Sequence, residues 1–349
     1  MLPNIRCCPF RRREVQKSTM KIAVIGGVNS TRVLIHSLAK HGYTNCRVWG
    51  YVPSDSSSVS GWCDLRAASA ALNMSFQPFR KVAECENKLR AFAPDILFVV
   101  GLSQIVPTSM LGISRIGNIG FHPTALPRGR GRAAIAWMIL HRTDGAASFF
   151  ELRGGVDDGP IIVQETFRVN DTDDAATVEA KILEAEARAL DKWLPTLREN
   201  GIVGIEQDHK QATWLGRRTQ DDGWLNWSQP REEILALIRA SAPPHPGAFT
   251  YYNDTRIEIT AARVCDRPET GVTGRIVAVY NDRGFDVQCG DALITIKRWQ
   301  GSHSWQPRVG MKLGYYVEVE VFKLLSLVKN LEQRIETLEH DIERLQQGT

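Results

Sequence analysis

Residues 20–203 of this 349-residue chain are predicted to form an α/β domain built on a doubly wound, largely parallel sheet. Short apolar runs alternate with helical patterns from Met20 to about Arg198, as in parallel strands joined by crossover helices. Over residues 204–321 short strands separated by turn residues replace that alternation, predicting a smaller β domain. Over residues 322–349 leucines and β-branched residues recur every seventh position, predicting a coiled-coil helix.

The elements follow in order. Residues 1–19 carry Arg6, Arg11, Arg12, Arg13 and Lys17 without an apolar stretch, so they do not read as a secretory signal. Met20 directly precedes a strand over 21–25 and is expected to be the natural start, with 1–19 a basic extension that need not be native. Gly26-Gly27 then opens a helix through Val33, Leu34 and Leu38. A second strand is expected over 46–51, helices over 65–72 and 82–92, and a buried strand over 96–100. A loop at His122 leads to a helix through Ile135, Ile139 and Leu140. Strands over 147–152 and 161–169 and a long helix over 175–197 complete the domain. In the second domain a helix through Ile234, Leu237 and Ile238 stops at Pro243-Pro244-His245-Pro246-Gly247. Strands are expected over 248–252, 256–262, 274–280, 285–289 and 292–298. Trp214, Trp224 and Trp227 read as packing residues.

The formal net charge of +4 is dispersed after residue 20, which argues against a large nucleic-acid footprint. No apolar run reaches the length of a membrane span. The seven cysteines are odd in number and lack zinc-site spacing, which predicts a reduced, cytoplasmic chain that needs no metal.

Gly120-Phe121-His122-Pro123 places one histidine at the mouth of a proline-pinned, arginine-rich loop, and Val156-Asp157-Asp158-Gly159 supplies a carboxylate further on. Such a pair can manage protons when an amine attacks a carbonyl. The attack creates a negative oxygen and an ammonium nitrogen. A protonated His122 donates a hydrogen bond to the oxygen, while Asp157 orients the ring and helps a water take the surplus proton. In Gly26-Gly27-Val28-Asn29-Ser30-Thr31 the residues Gly27, Asn29 and Ser30 are candidates for a phosphate or nucleoside contact at a helix start. A plain tight turn is the other reading.

With these residues placed, the segment from about Met20 to Tyr316 resembles the folate-dependent formyltransferases. The resemblance is carried by the stretch from Asp95 to Gln104, His122 with Leu126-Pro127, Arg130-Gly131-Arg132-Ala133 and Gly155-Val156-Asp157-Asp158-Gly159. Trp227-Ser228-Gln229-Pro230 and Pro246-Gly247-Ala248-Phe249 add to it. It implies a Rossmann-like catalytic domain, a C-terminal β-barrel and 10-formyltetrahydrofolate as formyl donor. The donor would be held largely by backbone at Leu102, Ser103, Gln104, Ile105 and Val106, and at Arg153, Gly154, Gly155 and Val156. It makes His122 and Asp157 catalytic. Where the family pattern is Asn-x-His this chain has Gly120, so Asn118 is the candidate for the missing oxyanion donor.

Arg130 to Ala133 with Trp137 matches the nucleotide-sugar branch, in which Arg130 and Arg132 would clamp a diphosphate. The stretch from Val52 to Gly61, matching the basic loop of tRNA-specific members, is serine-rich and has no Lys or Arg. The resemblance therefore implies N-formylation of a nucleotide-linked amino sugar for an O-antigen-type polysaccharide. Methionyl-tRNA formyltransferase is the alternative, and a non-catalytic scaffold on the same fold a third possibility. In the tail Leu324, Leu331, Leu338 and Leu345 take d positions, and Val328, Ile335 and Ile342 take a positions. Arg334 at g can meet Glu339 at e of a partner, so a parallel two-stranded coiled coil and a homodimer are expected.

Overall fold

The computed structural model describes residues 20–56, 59–301 and 305–347. The basic extension 1–19, and Ser57 and Ser58 of the serine-rich stretch, lie outside the described residues. The chain divides into two compact units between Arg218 and Thr219.

The first unit starts with β1 (Ile22–Gly26), α1 (Asn29–Lys40), β2 (Cys46–Tyr51), α2 (Arg66–Ala71), β3 (Ser75–Phe79), α3 (Glu86–Phe92), β4 (Ile96–Val99) and α4 (Thr108–Leu111). It continues with β5 (Gly117–His122), β6 (Arg130–Gly131), α5 (Ala134–His141), β7 (Gly145–Glu151), β8 (Ile161–Phe167), α6 (Ala175–Asn200) and β9 (Trp214–Leu215). Seven strands form one sheet in the order β3-β2-β1-β4-β5-β7-β8. Pairing is parallel from β3 through β5, while β7 and β8 run antiparallel. Helices cover both faces, which is why β1 is buried at every position. Ala23 and Ile25 pack with Leu89 and Phe92 of α3 on one face. On the other, Trp193 of α6 meets the rings of Phe98 and Phe149.

The parallel order has a functional consequence. The carboxyl ends of β1, β4 and β5 share one edge, so the segments after Gly26, Val99 and His122 emerge side by side. The expected loop at His122 is a correction: His122 ends a strand, held between β4 and β7. The sequence reading also lacked β3, where Pro78 interrupts the apolar pattern. As an edge strand, β3 tolerates the missing donor.

The second unit contains α7 (Arg231–Ser241), β10 (Ala248–Tyr252), β11 (Thr255–Val264), β12 (Ile276–Val279), β13 (Phe285–Gln288), β14 (Leu293–Gln300) and α8 (Val317–Gln347). Its strands form an antiparallel sheet in the order β10-β11-β14-β13-β12. Residues 311–314 join its two ends. Ile276 N donates to Met311 O and Leu313 N to Gly274 O beside β12, and Gly314 N donates to Tyr251 O of β10, each at 2.8 Å. The result is a small barrel around Ile257, Phe285, Ile296, Trp305 and Leu313. Of the three tryptophans read as packing residues, Trp227 is buried and bonded to Thr250 Oγ1. Trp214 and Trp224 are instead exposed.

α8 leaves the barrel directly after this closure. Its Leu324, Val328, Leu331, Ile335, Leu338 and Ile342 are exposed in the single chain. The side chain of Leu345, the last expected d position, lies outside the described residues. Among the described residues no helix is long and apolar enough to cross a membrane. Burial pushes the thiols of Cys46, Cys85 and Cys289 up to about 12, so they stay protonated and unreactive near neutrality.

Candidate active site

His122 is buried at the end of β5, with both ring nitrogens directed at protein atoms. Nε2 lies 2.7 Å from Gly129 O. A carbonyl can only accept, so this nitrogen carries a proton and donates it. Nδ1 faces Asp157 Oδ2 at 3.6 Å, a gap slightly longer than a hydrogen bond. The same carboxylate oxygen accepts a hydrogen bond from Gly131 N at 2.9 Å.

Asp157 reaches His122 from the β7–β8 loop. That loop leaves β7 beside β5, where Leu152 N donates to Asn118 O, and turns back to the histidine. Asp157 has a left-handed φ of 49°, a conformation that aspartate tolerates better than most residues. The neighbouring Asp158 turns the other way. Its carboxylate fills the space a Cβ on Gly155 would need, and its Oδ1 is buried without a hydrogen-bond partner. Of the two adjacent aspartates, Asp157 is therefore the one that faces the imidazole.

Position 120 has a physical reason to be glycine. A Cβ there would lie 2.6 Å from Cζ of the fully buried Phe150, its cross-strand partner in β7. The ring occupies the place where a side chain would begin. Asn118 does not come to His122 in compensation. Its Nδ2 donates to Leu111 O at 2.7 Å and its Oδ1 accepts from Ser114 Oγ at 2.9 Å, so the amide is spent on the turn after α4.

The β1–α1 loop differs from an open anion cradle. Thr31 Oγ1 accepts from Gly27 N at 3.0 Å and from Val28 N at 3.3 Å, and Asn29 N donates to Gly61 O at 3.1 Å. The amides of Gly27, Val28 and Asn29 are thus bonded within the protein. Asn29 Nδ2 donates to Glu179 Oε1 on α6 at 3.0 Å, and Ser30 also lies near α6, beside Glu186. Thr31 is a residue the sequence reading missed. Its hydroxyl also donates to Val100 O at 2.7 Å, tying this loop to the end of β4.

The two arginines expected as a clamp separate. Arg132 is exposed. Arg130 is buried, its Nε and Nη2 donating to Gln207 Oε1 at 3.2 and 2.6 Å. Gln207, also missed, had no local signal, since its partners lie about fifty and eighty residues away along the chain.

The two loops expected to hold the formyl donor are open. In 102–106, Leu102 and Val106 pack on the sheet while Ser103 and Ile105 face outward, Ile105 at 92% exposure. Gln104 fastens this loop, accepting from Val82 N and donating to Arg80 O. In 153–156, Arg153 pairs with Glu151 and Glu206, Gly154 faces open space and Val156 is exposed. Among the described residues no cluster of acidic, histidine or cysteine side chains is placed to hold a metal.

Comparison with known proteins shows the family of the chain. A family model described as formyl transferase matches residues 20–194, and one described as formyl transferase, C-terminal domain, matches 217–304. The chain is similar in structure to HypX from Aquifex aeolicus, solved in complex with tetrahydrofolic acid, at 14% identity and a TM-score of 0.61. That match covers 84% of this chain and 46% of HypX, so the chain spans about half the length of that protein. It is also similar to the N-formyltransferase from Helicobacter canadensis, solved with folinic acid and dTDP-3-aminofucose. There the identity is 17% and the TM-score 0.60, with 80% of this chain and 100% of that one covered. Methionyl-tRNA formyltransferase from Clostridium thermocellum matches at 18% identity and a TM-score of 0.52, with 71% and 94% covered. At these identities the likenesses establish a shared fold.

Proposed function

Because the chain belongs to the formyl transferase family, we propose that it moves a formyl group from 10-formyltetrahydrofolate to the amine of a nucleotide-linked amino sugar. The observation that carries this proposal is the buried His122 with Asp157 at 3.6 Å, beside two open loops.

Those loops suit a flat, hydrogen-bonding ring. Asp158 Oδ1 is a buried acceptor without a donor, Gly154 leaves its backbone accessible, and Ile105 and Val156 offer exposed apolar surface. When bound, the donor supplies the acyl carbon that the amine takes, and tetrahydrofolate leaves with a proton on its nitrogen. The protein's part is proton management. Since Nε2 is committed to Gly129 O, Nδ1 is the nitrogen that would take up the ammonium proton, directly or through water, and return it to the departing nitrogen. Asp157 then balances the charge on the ring.

The sugar acceptor is supported by the Arg130 to Ala133 motif and by the missing basic residues in the stretch from Val52 to Gly61. The exposed Arg132 is assigned to the diphosphate. Tetrahydrofolate formation against a panel of nucleotide-linked amino sugars, with methionyl-tRNA alongside, tests the proposal. Turnover with one sugar, abolished by His122→Asn, is expected. Turnover with methionyl-tRNA alone would replace the acceptor, and silence from folded, folate-binding protein would favour a non-catalytic scaffold.

The proposal includes a homodimer through α8. Its exposed a and d residues need cover, and Leu at d with Val or Ile at a favours two strands. A parallel pair brings Arg334 to Glu339 of the partner, whereas an antiparallel pair sets Glu332 and Glu339 at e against each other. Sedimentation should give a dimer, converted to monomer by Leu331→Glu. A monomeric unmutated chain would refute it.

A further inference from the structure

Resting on the proposed formyl transfer, we infer that Gln207 is a positioning residue for that reaction, setting the Asp157 carboxylate with Arg130 as its anchor. Gln207 is buried and all of its hydrogen-bonding capacity is used. Oε1 accepts both bonds from Arg130, and Nε2 donates to Asp157 O at 2.9 Å and to Gly159 O at 2.7 Å. The guanidinium can only donate and the carbonyls can only accept, so the amide has a single consistent orientation.

These bonds close a circuit. Arg130 holds Gln207, and Gln207 holds the backbone of Asp157. The Asp157 carboxylate in turn accepts from the amide of Gly131, the residue after Arg130. The turn needs holding for two reasons. Asp157 occupies the left-handed region, and Gly159 lies so close to Glu151 O that no Cβ fits. Without Nε2, two carbonyls of this turn would lose their donor while the left-handed residue must still present its carboxylate to His122. Arg130 is further steadied by His209 Nδ1 at 3.2 Å. Its burial and its partners make it the foundation of the catalytic loop and leave diphosphate binding to other residues.

Gln207→Glu tests this in the full chain. The substitution keeps the size and the Arg130 contact but turns the donor facing the two carbonyls into an acceptor. Two readouts are followed: hydrogen exchange at the Gly131 amide by NMR, and steady-state kinetics with the accepted amine. Exchange at Gly131 is expected to quicken by about tenfold or more, with core amides such as Val24 and Phe98 unchanged. Turnover, kcat, should fall by roughly 10- to 100-fold, with KM for the amine within about twofold, as for a small misplacement of a reacting group. If the Glu variant does not fold, Gln207→Met removes the donor without adding charge and is read in the same way. Unchanged Gly131 exchange in a folded variant would overturn the inference, as would a rise in KM at constant kcat. Faster Gly131 exchange in a protein whose unmutated form transfers no formyl group would support the positioning role and sink the formyl-transfer proposal alone.

Discussion

Restoring an asparagine at position 120 tests why this chain lacks one. In Gly120→Asn the new Cβ meets Phe150 Cζ at 2.6 Å and Cε1 and Cε2 at 3.0 Å, and the ring is fully buried and cannot swing away. Overpacking of this kind costs about 1–3 kcal/mol. Phe150→Ala alone opens a cavity and costs about 3–5 kcal/mol. In the double variant the asparagine enters space the ring has vacated, so the two costs do not add. A coupling of about 1–3 kcal/mol is expected for residues in contact. Urea denaturation of the four proteins measures it. If the introduced asparagine also supplies the oxyanion donor, kcat of the double variant should exceed that of Phe150→Ala by roughly 10²-fold. A Gly120→Asn protein as stable as the unmutated chain, or strict additivity in the cycle, would refute the steric explanation.

Three further outcomes are expected. Burial holds the acid of Glu186 on α6 well above the usual carboxylate range, against a smaller opposing pull from Ser30. The folded protein therefore keeps this proton while the unfolded chain releases it above about pH 4.5, so stability falls as pH rises, by up to roughly 1.4 kcal/mol per pH unit. Glu186→Gln should flatten that slope and raise Tm at pH 8 but not at pH 4; an unchanged slope would count against it. Asp157→Asn should lower kcat by roughly 10²- to 10⁴-fold, whereas Asp158→Asn should raise the folate KM and spare kcat; steady-state kinetics would expose a reversed pattern. Arg132→Ala should weaken nucleotide-sugar binding by about tenfold without loss of Tm, and Arg130→Ala should lower Tm; calorimetry and melting distinguish them.

Much of the fold was legible because the chain's local signals agree with its tertiary packing. The strand over 46–51 and the helix starting at residue 175 were found where apolar period and capping chemistry coincide; Asp174 caps the latter by accepting from Thr177 N. β5 was hidden because Gly117, Asn118 and Gly120 carry little strand propensity, and only burial between β4 and β7 makes them one. At the site, His122 and Asp157 could be singled out because both stand in short, distinctive motifs, and the fold sets Nδ1 of the one 3.6 Å from Oδ2 of the other. Arg130 was misread because arginine is rarely buried, and its carboxamide partner lies far along the chain. The amides of Gly27 and Asn29 look open in the sequence because nothing local says that Thr31 Oγ1 turns back to the first or that Gly61 O meets the second.

The Thr31 hydroxyl has a consequence of its own. One oxygen joins the first and fourth strands' exits, using its proton on one and its lone pairs on the other. The side chain of Val28 also fills the space where a Cβ on Gly101 would sit. Two stretches of backbone thus turn about a common pivot and share any displacement. If one cradles the acceptor and the other the donor, preference for the first cannot drift without disturbing grip on the second. Under the proposed function, substrate choice would then be tied to donor affinity through the Thr31 oxygen and the Val28–Gly101 contact.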